Sequence, residues 1–326
     1  MVWHLIRTAA QYGAVLFAAI VLNFALPRLA PGDAIDYLLP PEQAGALTAE
    51  QRDQILSQFG LTDPLPEQFG SYLAGIAHGD LLVSVRFGRP VTSLLAERVG
   101  WTLLLVGGAL VLSTLLGAAL GFRSAWRRGT RADSGTLGTV MFLDALPPFF
   151  VGMLLLLAFS VGLGWFPSYG AGATGGVSGL ELIGEVAKRA VLPMATLTIA
   201  GLGPVYLTAR SALVAELQED YVLMAEAKGL TDSEVRRHAA RNALLPVSTI
   251  ALLGLGTLVG GAAVVETVFS YPGLGRLIYE SVLARDYPVL QGAFLLLIVT
   301  VVVANLLNDL VYPLLDPRVR RAGGSR

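Results

Sequence analysis

Cysteine is absent from this sequence of 326 residues. That excludes a disulfide framework, a Cys-type zinc site and thiol chemistry. Charge is scarce as well: Asp, Glu, Lys and Arg make up 14% of the chain, against roughly 25% in soluble domains. The net charge of −1 gives no bulk basicity, so nucleic acid is not an expected partner. The three histidines, His4, His78 and His238, fall in separate regions, and no H-E-x-x-H occurs to hold a metal. No G-x-x-x-x-G-K-[ST] supplies a phosphate-binding loop, and no G-x-S-x-G frames a nucleophile. The chain is therefore not expected to be an enzyme acting alone, nor to bind a cofactor or metal of its own.

What it has is apolar length. Hydrophobic residues make up 54% of the chain, and runs of about 20 of them mark a polytopic, all-α membrane protein. Six spans are predicted: Ala9–Leu26, Trp101–Phe122, Leu137–Phe159, Val191–Val214, Pro246–Phe269 and Val289–Tyr312. Ala9 to Pro27 is long for a signal-peptide core, and Pro27-Arg28-Leu29 offers no small-residue cleavage site, so a cleavable signal is not expected. A long segment between spans one and two is rich in carboxylates, from Asp33 and Asp36 to Asp80 and Glu97.

Short basic loops set the orientation. Arg123, Arg127, Arg128 and Arg131 follow span two; Lys228, Arg236, Arg237 and Arg241 precede span five; Arg318, Arg320, Arg321 and Arg326 end the chain. An even number of spans puts both termini on that side, the cytoplasm. Residues 29–97, the Gly170–Gly179 loop and the stretch "SYPGLGRLIYESVLARDYP" then face outward. Lys188 and Arg189 are an outward exception.

Charges within the spans are few, and an Asp near mid-membrane costs roughly 2.5–3.5 kcal/mol. Asp144 precedes Pro147 and Pro148, which should bend the helix. Two readings stand: a carboxylate facing a translocation path together with Pro147 and Pro148, or a helix-end residue satisfying freed amides. The second is preferred. Asn305 and Asp309 read as interhelical glue, and Glu266, at the outer mouth of span five, reads as solvated.

The passage "EAKGLTDSEVRRHAARNALLP" (Glu226–Pro246) looks soluble yet lies between apolar runs. Upstream, a short helix presents Tyr221, Val222, Ala225 and Lys228–Gly229 on one face, with Glu219, Asp220 and Glu226 on the other. Gly229 suits the left-handed residue past a helix end. Thr231 and Glu234 have the spacing of a capping box for a second short helix, expected to end before Pro246 resets the chain. Two readings remain open from the residues: a hairpin lying on lipid headgroups, or a rigid knob gripped by a soluble partner.

The passage resembles the "EAA" loop of ABC-importer permeases, in the form "AKGL…R.HA.RNALLP" of the dipeptide/oligopeptide/nickel permease family. "LAPGD" (Leu29–Asp33), "HGDLLVSVRFGRPV" (His78–Val91), "ERVGWTLLL" (Glu97–Leu105), "ETVFSYPGLGRLIYESVLARDYPVLQG" (Glu266–Gly292) and "NLLNDLVYPLLDPRVR" (Asn305–Arg320) follow that family's order. Two departures stand out. Leu223-Met224-Ala225 replaces Glu-Ala-Ala, leaving only Ala225 and Gly229 of the core motif, and Leu82 replaces a glycine expected in "GDLG".

The resemblance implies the type I ABC-importer permease fold, with residues 1–326 forming one permease domain. Residues 29–97 would be an outward-facing insertion and 216–245 a cytoplasmic coupling hairpin. Tyr221, Ala225, Glu226, Ala227, Lys228, Gly229 and Leu230 would meet the ATPase. Implied partners are a second homologous permease subunit, two ATP-binding subunits carrying ATP and Mg2+, an extracytoplasmic substrate-binding protein and a peptide substrate, all at the bacterial inner membrane. A nickel-chelate or another small solute is the alternative cargo. A stand-alone secondary carrier is the alternative of another class, and would need inverted repeats and buried titratable groups.

Overall fold

The computed structural model describes residues 2–29, 35, 39, 41–58, 61–172 and 179–315. Most of "LAPGD", Asp36, residues 173–178 of the glycine-rich loop, the C-terminal arginines and the side chain of Asp309 lie outside the described residues. Every regular element among the described residues is helical: α1 (Val2–Leu29), α2 (Pro41–Ala46), α3 (Ala49–Gln58), α4 (Leu65–His78), α5 (Val91–Trp126), α6 (Arg131–Asp144), α7 (Pro148–Leu155, continuing as a π-helical turn over Leu156–Gly162), α8 (Leu180–Glu216), α9 (Asp220–Ala227), α10 (Asp232–Val268), α11 (Leu274–Ala284) and α12 (Tyr287–Leu315). Three of these, α5, α8 and α10, are long and apolar enough to cross a membrane, and α6 with α7 makes a fourth candidate, broken by 99°. Shorter apolar stretches, Ala10–Ala25 and Tyr287–Val303, stand at the first and last predicted spans.

The chain forms two compact units. The first joins residues 1–101 to 273–303. Here Phe24 of α1 meets Phe69 of α4 edge to face at 5.1 Å. Asn23, buried within the apolar α1, donates to the Tyr72 hydroxyl at 3.0 Å and to the Gln291 carbonyl at 2.9 Å. Val91, Leu94 and Leu95 pack with Leu274, Leu277, Val289 and Ala293. Beside them the carboxylate of Asp286, fully buried, accepts from the Ser84 hydroxyl at 2.5 Å and from the Arg86 amide at 3.1 Å. A buried charge needs such donors. These bonds give Ser84 of "SVR" and Asp286 of "ARDYP" a structural task. In the same turn Leu82 has φ of 67°, the left-handed region a glycine occupies freely.

The second unit comprises, among the described residues, 102–172, 179–272 and 304–315. Gly117 and Gly121, four apart on α5, let α8 approach: a Cβ at Gly121 would lie 2.6 Å from the Tyr206 carbonyl oxygen. Small residues at this spacing are a common membrane packing device. Val235, Ala239, Ala243, Val247 and Ala251 recur every four residues along α10 and are all buried. That stripe corrects the expected boundary at Pro246. The proline removes a backbone donor, yet the helix runs unbroken from Asp232 to Val268, because its buried face packs continuously on both sides of residue 246. Glu266 is a second correction. It is fully buried rather than solvated, accepting a hydrogen bond from Thr102 at 2.6 Å. Arg189, the expected outward exception, has a structural task, donating to the Tyr169 carbonyl at 2.7 Å.

Candidate functional site: the hairpin and its base

Local chemistry fixes the turn between α9 and α10. Lys228 caps α9, and Gly229 follows with φ of 80°. The Gly229 amide donates to the Glu226 carbonyl at 2.9 Å and the Leu230 amide to the Ala225 carbonyl at 3.2 Å, the paired bonds of a Schellman motif. Thr231 then opens α10 through a capping box with Glu234, whose carboxylate accepts from the Thr231 amide at 2.8 Å. Those bonds hold the Glu234 carboxyl below its ordinary range.

The base of the hairpin is a three-way junction. The Glu216 carboxylate, at the end of α8, accepts from the Tyr221 hydroxyl of α9 at 2.5 Å and from Asn242 of α10 at 3.2 Å. Burial, and then this bond, push the Tyr221 phenol up to about 12. Val222 is buried beneath, and Tyr221, Ala225 and Leu230 are half-buried. Glu226, Ala227, Lys228 and Gly229 are exposed. So are Leu223 and Met224, at 68% and 59%. The outer face of α9 is therefore more apolar than its flanking carboxylates suggest, and its crest is Leu223 and Met224.

Above the hairpin, α8 is tied to the α5–α6 turn. Arg210 donates to both oxygens of Asp133, at 2.9 and 2.8 Å. Ser124 and the Gly129 amide complete the carboxylate's shell at 2.5 and 3.1 Å, and the Tyr206 hydroxyl meets Ser124 at 2.7 Å. With the guanidinium as the leading cause, the Asp133 carboxyl is held far below the usual carboxylate range.

The candidate path residues lie at the break between α6 and α7. Asp144 is the last residue of α6, and Pro147 and Pro148 open α7. Its carboxylate is exposed within this chain and rests against Gly203 of α8, where a Cβ would meet Asp144 Oδ1 at 2.2 Å. The Phe150 and Val151 amides donate instead to the Pro147 carbonyl. The cap preferred for Asp144 from sequence is not formed.

Residues 98–321 match the family model described as binding-protein-dependent transport system inner membrane component. The chain belongs to that family. It is an inner-membrane transport permease, and the permease is 35% identical over 98% of its length to the oligopeptide transport system permease protein AppB of Bacillus subtilis, covering 99% of that protein. It is 39% identical to the glutathione transport system permease protein GsiC of Pectobacterium atrosepticum, over 94% of each chain. It is 34% identical to the dipeptide transport system permease protein DppB of Escherichia coli, over 92% of this chain and 93% of that one. The MetNI methionine ABC transporter in an inward-facing conformation shares the fold, at TM-score 0.56 and 19% identity over 68% of this permease and 96% of that chain.

Sequence reading missed Glu216, Asn242, Leu223 and Met224 of the hairpin, and the group of Ser124, Asp133, Tyr206 and Arg210. Leu223 and Met224 carried a usable signal: two large apolar residues beside an acidic helix start, where the resembling motif has Glu-Ala.

Proposed function

We propose that this permease is one of two transmembrane subunits of an ATP-driven bacterial importer, with peptide as its cargo. The relatives named for oligopeptides, dipeptides and glutathione, each matched nearly end to end, support that cargo. The hairpin of residues 216–245 is the part an ATPase subunit grips, and one observation carries this reading. Leu223 and Met224 stand exposed on a short helix whose base is bolted to α8 and α10 through Glu216. A soft surface would yield to a push, whereas a rigid one transmits it.

In this reading Tyr221, Ala225, Glu226, Ala227, Lys228, Gly229 and Leu230 form the coupling element, together with the crest residues. ATP and Mg2+ belong to two partner ATPases, and this chain makes no bonds. Both units act as parts of one permease domain. The termini, the α5–α6 turn and the hairpin face the cytoplasm, while residues 29–97 face outward toward a substrate-binding protein. Asp144, Pro147 and Pro148 line the path where the break opens the helix. Among the described residues Asp144 has no ion pair and no capping bond, and an unpaired carboxylate within a span is a functional feature by default.

Co-expression with a second permease, the ATPases and a substrate-binding protein, followed by reconstitution, tests the proposal. Receptor-bound peptide should raise ATP hydrolysis and be carried inward. Hydrolysis indifferent to peptide, with another solute carried, would remove the peptide reading.

A further inference from the structure

On the second arm of the hairpin, away from the α9 crest residues Leu223 and Met224, the end of α5 and the first turns of α10 form an open groove of about 580 Å3, lined by Trp126, Asp232, Ser233, Arg236, Arg237 and Ala240. The α10 residues lie on the flank of the buried stripe Val235–Ala239–Ala243, so their side chains are free to meet something outside the chain. Arg236 holds its guanidinium carbon 5.7 Å from the centre of the Trp126 ring, a cation–π arrangement. Among the described residues neither Arg236 nor Arg237 forms an ion pair. Glu234, the carboxylate nearest in sequence, is engaged with Thr231. Asp232 is the one anion in the lining, against two cations.

The groove's height decides its ligand. Phe122 ends the predicted apolar run of α5, and Trp126 follows one turn later, their rings 6.3 Å apart. Tryptophan one turn past an apolar run marks the headgroup level. Arg123, Arg127 and Arg128, which flank Trp126 in the sequence, are exposed. Basic pockets between membrane helices on the cytoplasmic side bind anionic headgroups. We infer that this groove is a binding site for the phosphate of an anionic inner-leaflet phospholipid, held by Arg236 and Arg237 above the Trp126 ring. Its position beside the capped start of α10 would make the hairpin's setting sensitive to lipid charge. The inference rests on the cytoplasmic orientation proposed above and not on ATPase docking.

Photolabelling tests it. The assembled transporter is placed in nanodiscs of phosphatidylcholine carrying a photoactivatable phosphatidylglycerol, and labelled peptides are mapped. Capture at residues 123–128 and 232–240 is expected, with phosphatidylcholine analogues captured poorly. Capture should fall about fivefold for each arginine removed in Arg236→Gln and Arg237→Gln. The Arg236→Lys/Arg237→Lys pair should retain more than the glutamine pair, since the charge persists. Variants are compared only where they still assemble with their partners, and the single Arg237→Gln serves if the pair does not. Excess inorganic phosphate should leave the lipid in place; displacement would assign the groove to free phosphate and overturn the inference. Unchanged capture in the glutamine variants would overturn it too, as would equal capture of the zwitterionic analogue. Absence of lipid label with cross-linking of the groove to a partner subunit would overturn it in favour of a protein contact. If Ser233→Cys proves cytoplasmic and lipid capture still fails, this inference alone falls.

Discussion

Asp133 and Arg210, far apart in sequence, form a two-pronged ion pair at 2.9 and 2.8 Å that joins the start of α6 to α8. The Asp133 side chain is 5% exposed and that of Arg210 23%, so the pair is largely withdrawn from water. Breaking such a pair leaves a charge without compensation, at a cost of about 3 kcal/mol. Asp133→Asn should lower the melting temperature of the detergent-solubilised permease, and the Asp133→Asn/Arg210→Met pair should recover part of the loss. The sign with pH follows from the depressed carboxyl. Its contribution is complete above the ordinary aspartate range and is lost as pH falls through that range toward the folded value. Wild type should therefore soften in acid, while Asp133→Asn shows a flatter acid profile. An unchanged melting temperature in Asp133→Asn would contradict this account.

Leu82 sits at φ of 67° with its side chain 47% exposed. The left-handed region costs a residue with a Cβ roughly 1–2 kcal/mol, offset in part by about 0.5–1 kcal/mol of extra chain entropy lost by glycine. Leu82→Gly should leave stability unchanged or raise it by about 1 kcal/mol, read as a melting shift. A clear fall would mean that the leucine side chain holds the turn.

Close approach of α5 and α8 should make Gly121 intolerant. A methyl there meets the Tyr206 carbonyl oxygen at 2.6 Å, the Ala209 Cβ at 2.7 Å and the Arg210 amide at 3.0 Å. Gly121→Ala should destabilise by about 1–3 kcal/mol, as overpacked cores do. Gly107→Ala, on the same helix with nothing within 4 Å, is the control and should be neutral. Equal melting of the two variants would contradict the packing.

These three sites show what one sequence discloses. The hairpin turn was legible because its signals are local: Gly229 for a left-handed turn, Thr231 and Glu234 for a cap, and two prolines for the break after Asp144. The expected glycine at position 82 was legible through resemblance, and the backbone there is indeed left-handed. Long-range pairs were not. Asn23 with Gln291, Ser84 with Asp286, and Asp133 with Arg210 are matched by folding, and each partner alone reads as an ordinary polar residue. Continuity through Pro246 was hidden for a related reason. Local preference favours a boundary at the proline, whereas the buried stripe from Val235 to Ala251 overrides it.

Orientation is open to direct measurement, since the chain offers a cysteine-free background. Ser57→Cys should react with an impermeant thiol reagent on intact cells, and Ser233→Cys only after the membrane is opened. Reaction of Ser233→Cys from outside would invert the topology and end the cytoplasmic reading of the hairpin.

The coupling role of the hairpin rests most directly on Gly229. An added Cβ there meets nothing within 4 Å, so substitution acts through the backbone and not through a clash. A β-branched residue at φ of 80° costs on the order of 1–3 kcal/mol, enough to tilt α9 on its Glu216 base. The decisive measurement is peptide-stimulated ATP hydrolysis by the reconstituted transporter carrying Gly229→Val, with Gly229→Ala beside it. The account predicts normal membrane insertion and pairing with the second permease in both. Stimulated hydrolysis and ATPase co-purification should be lost in Gly229→Val and fall less in Gly229→Ala. Full stimulation and normal ATPase recovery in Gly229→Val would contradict it.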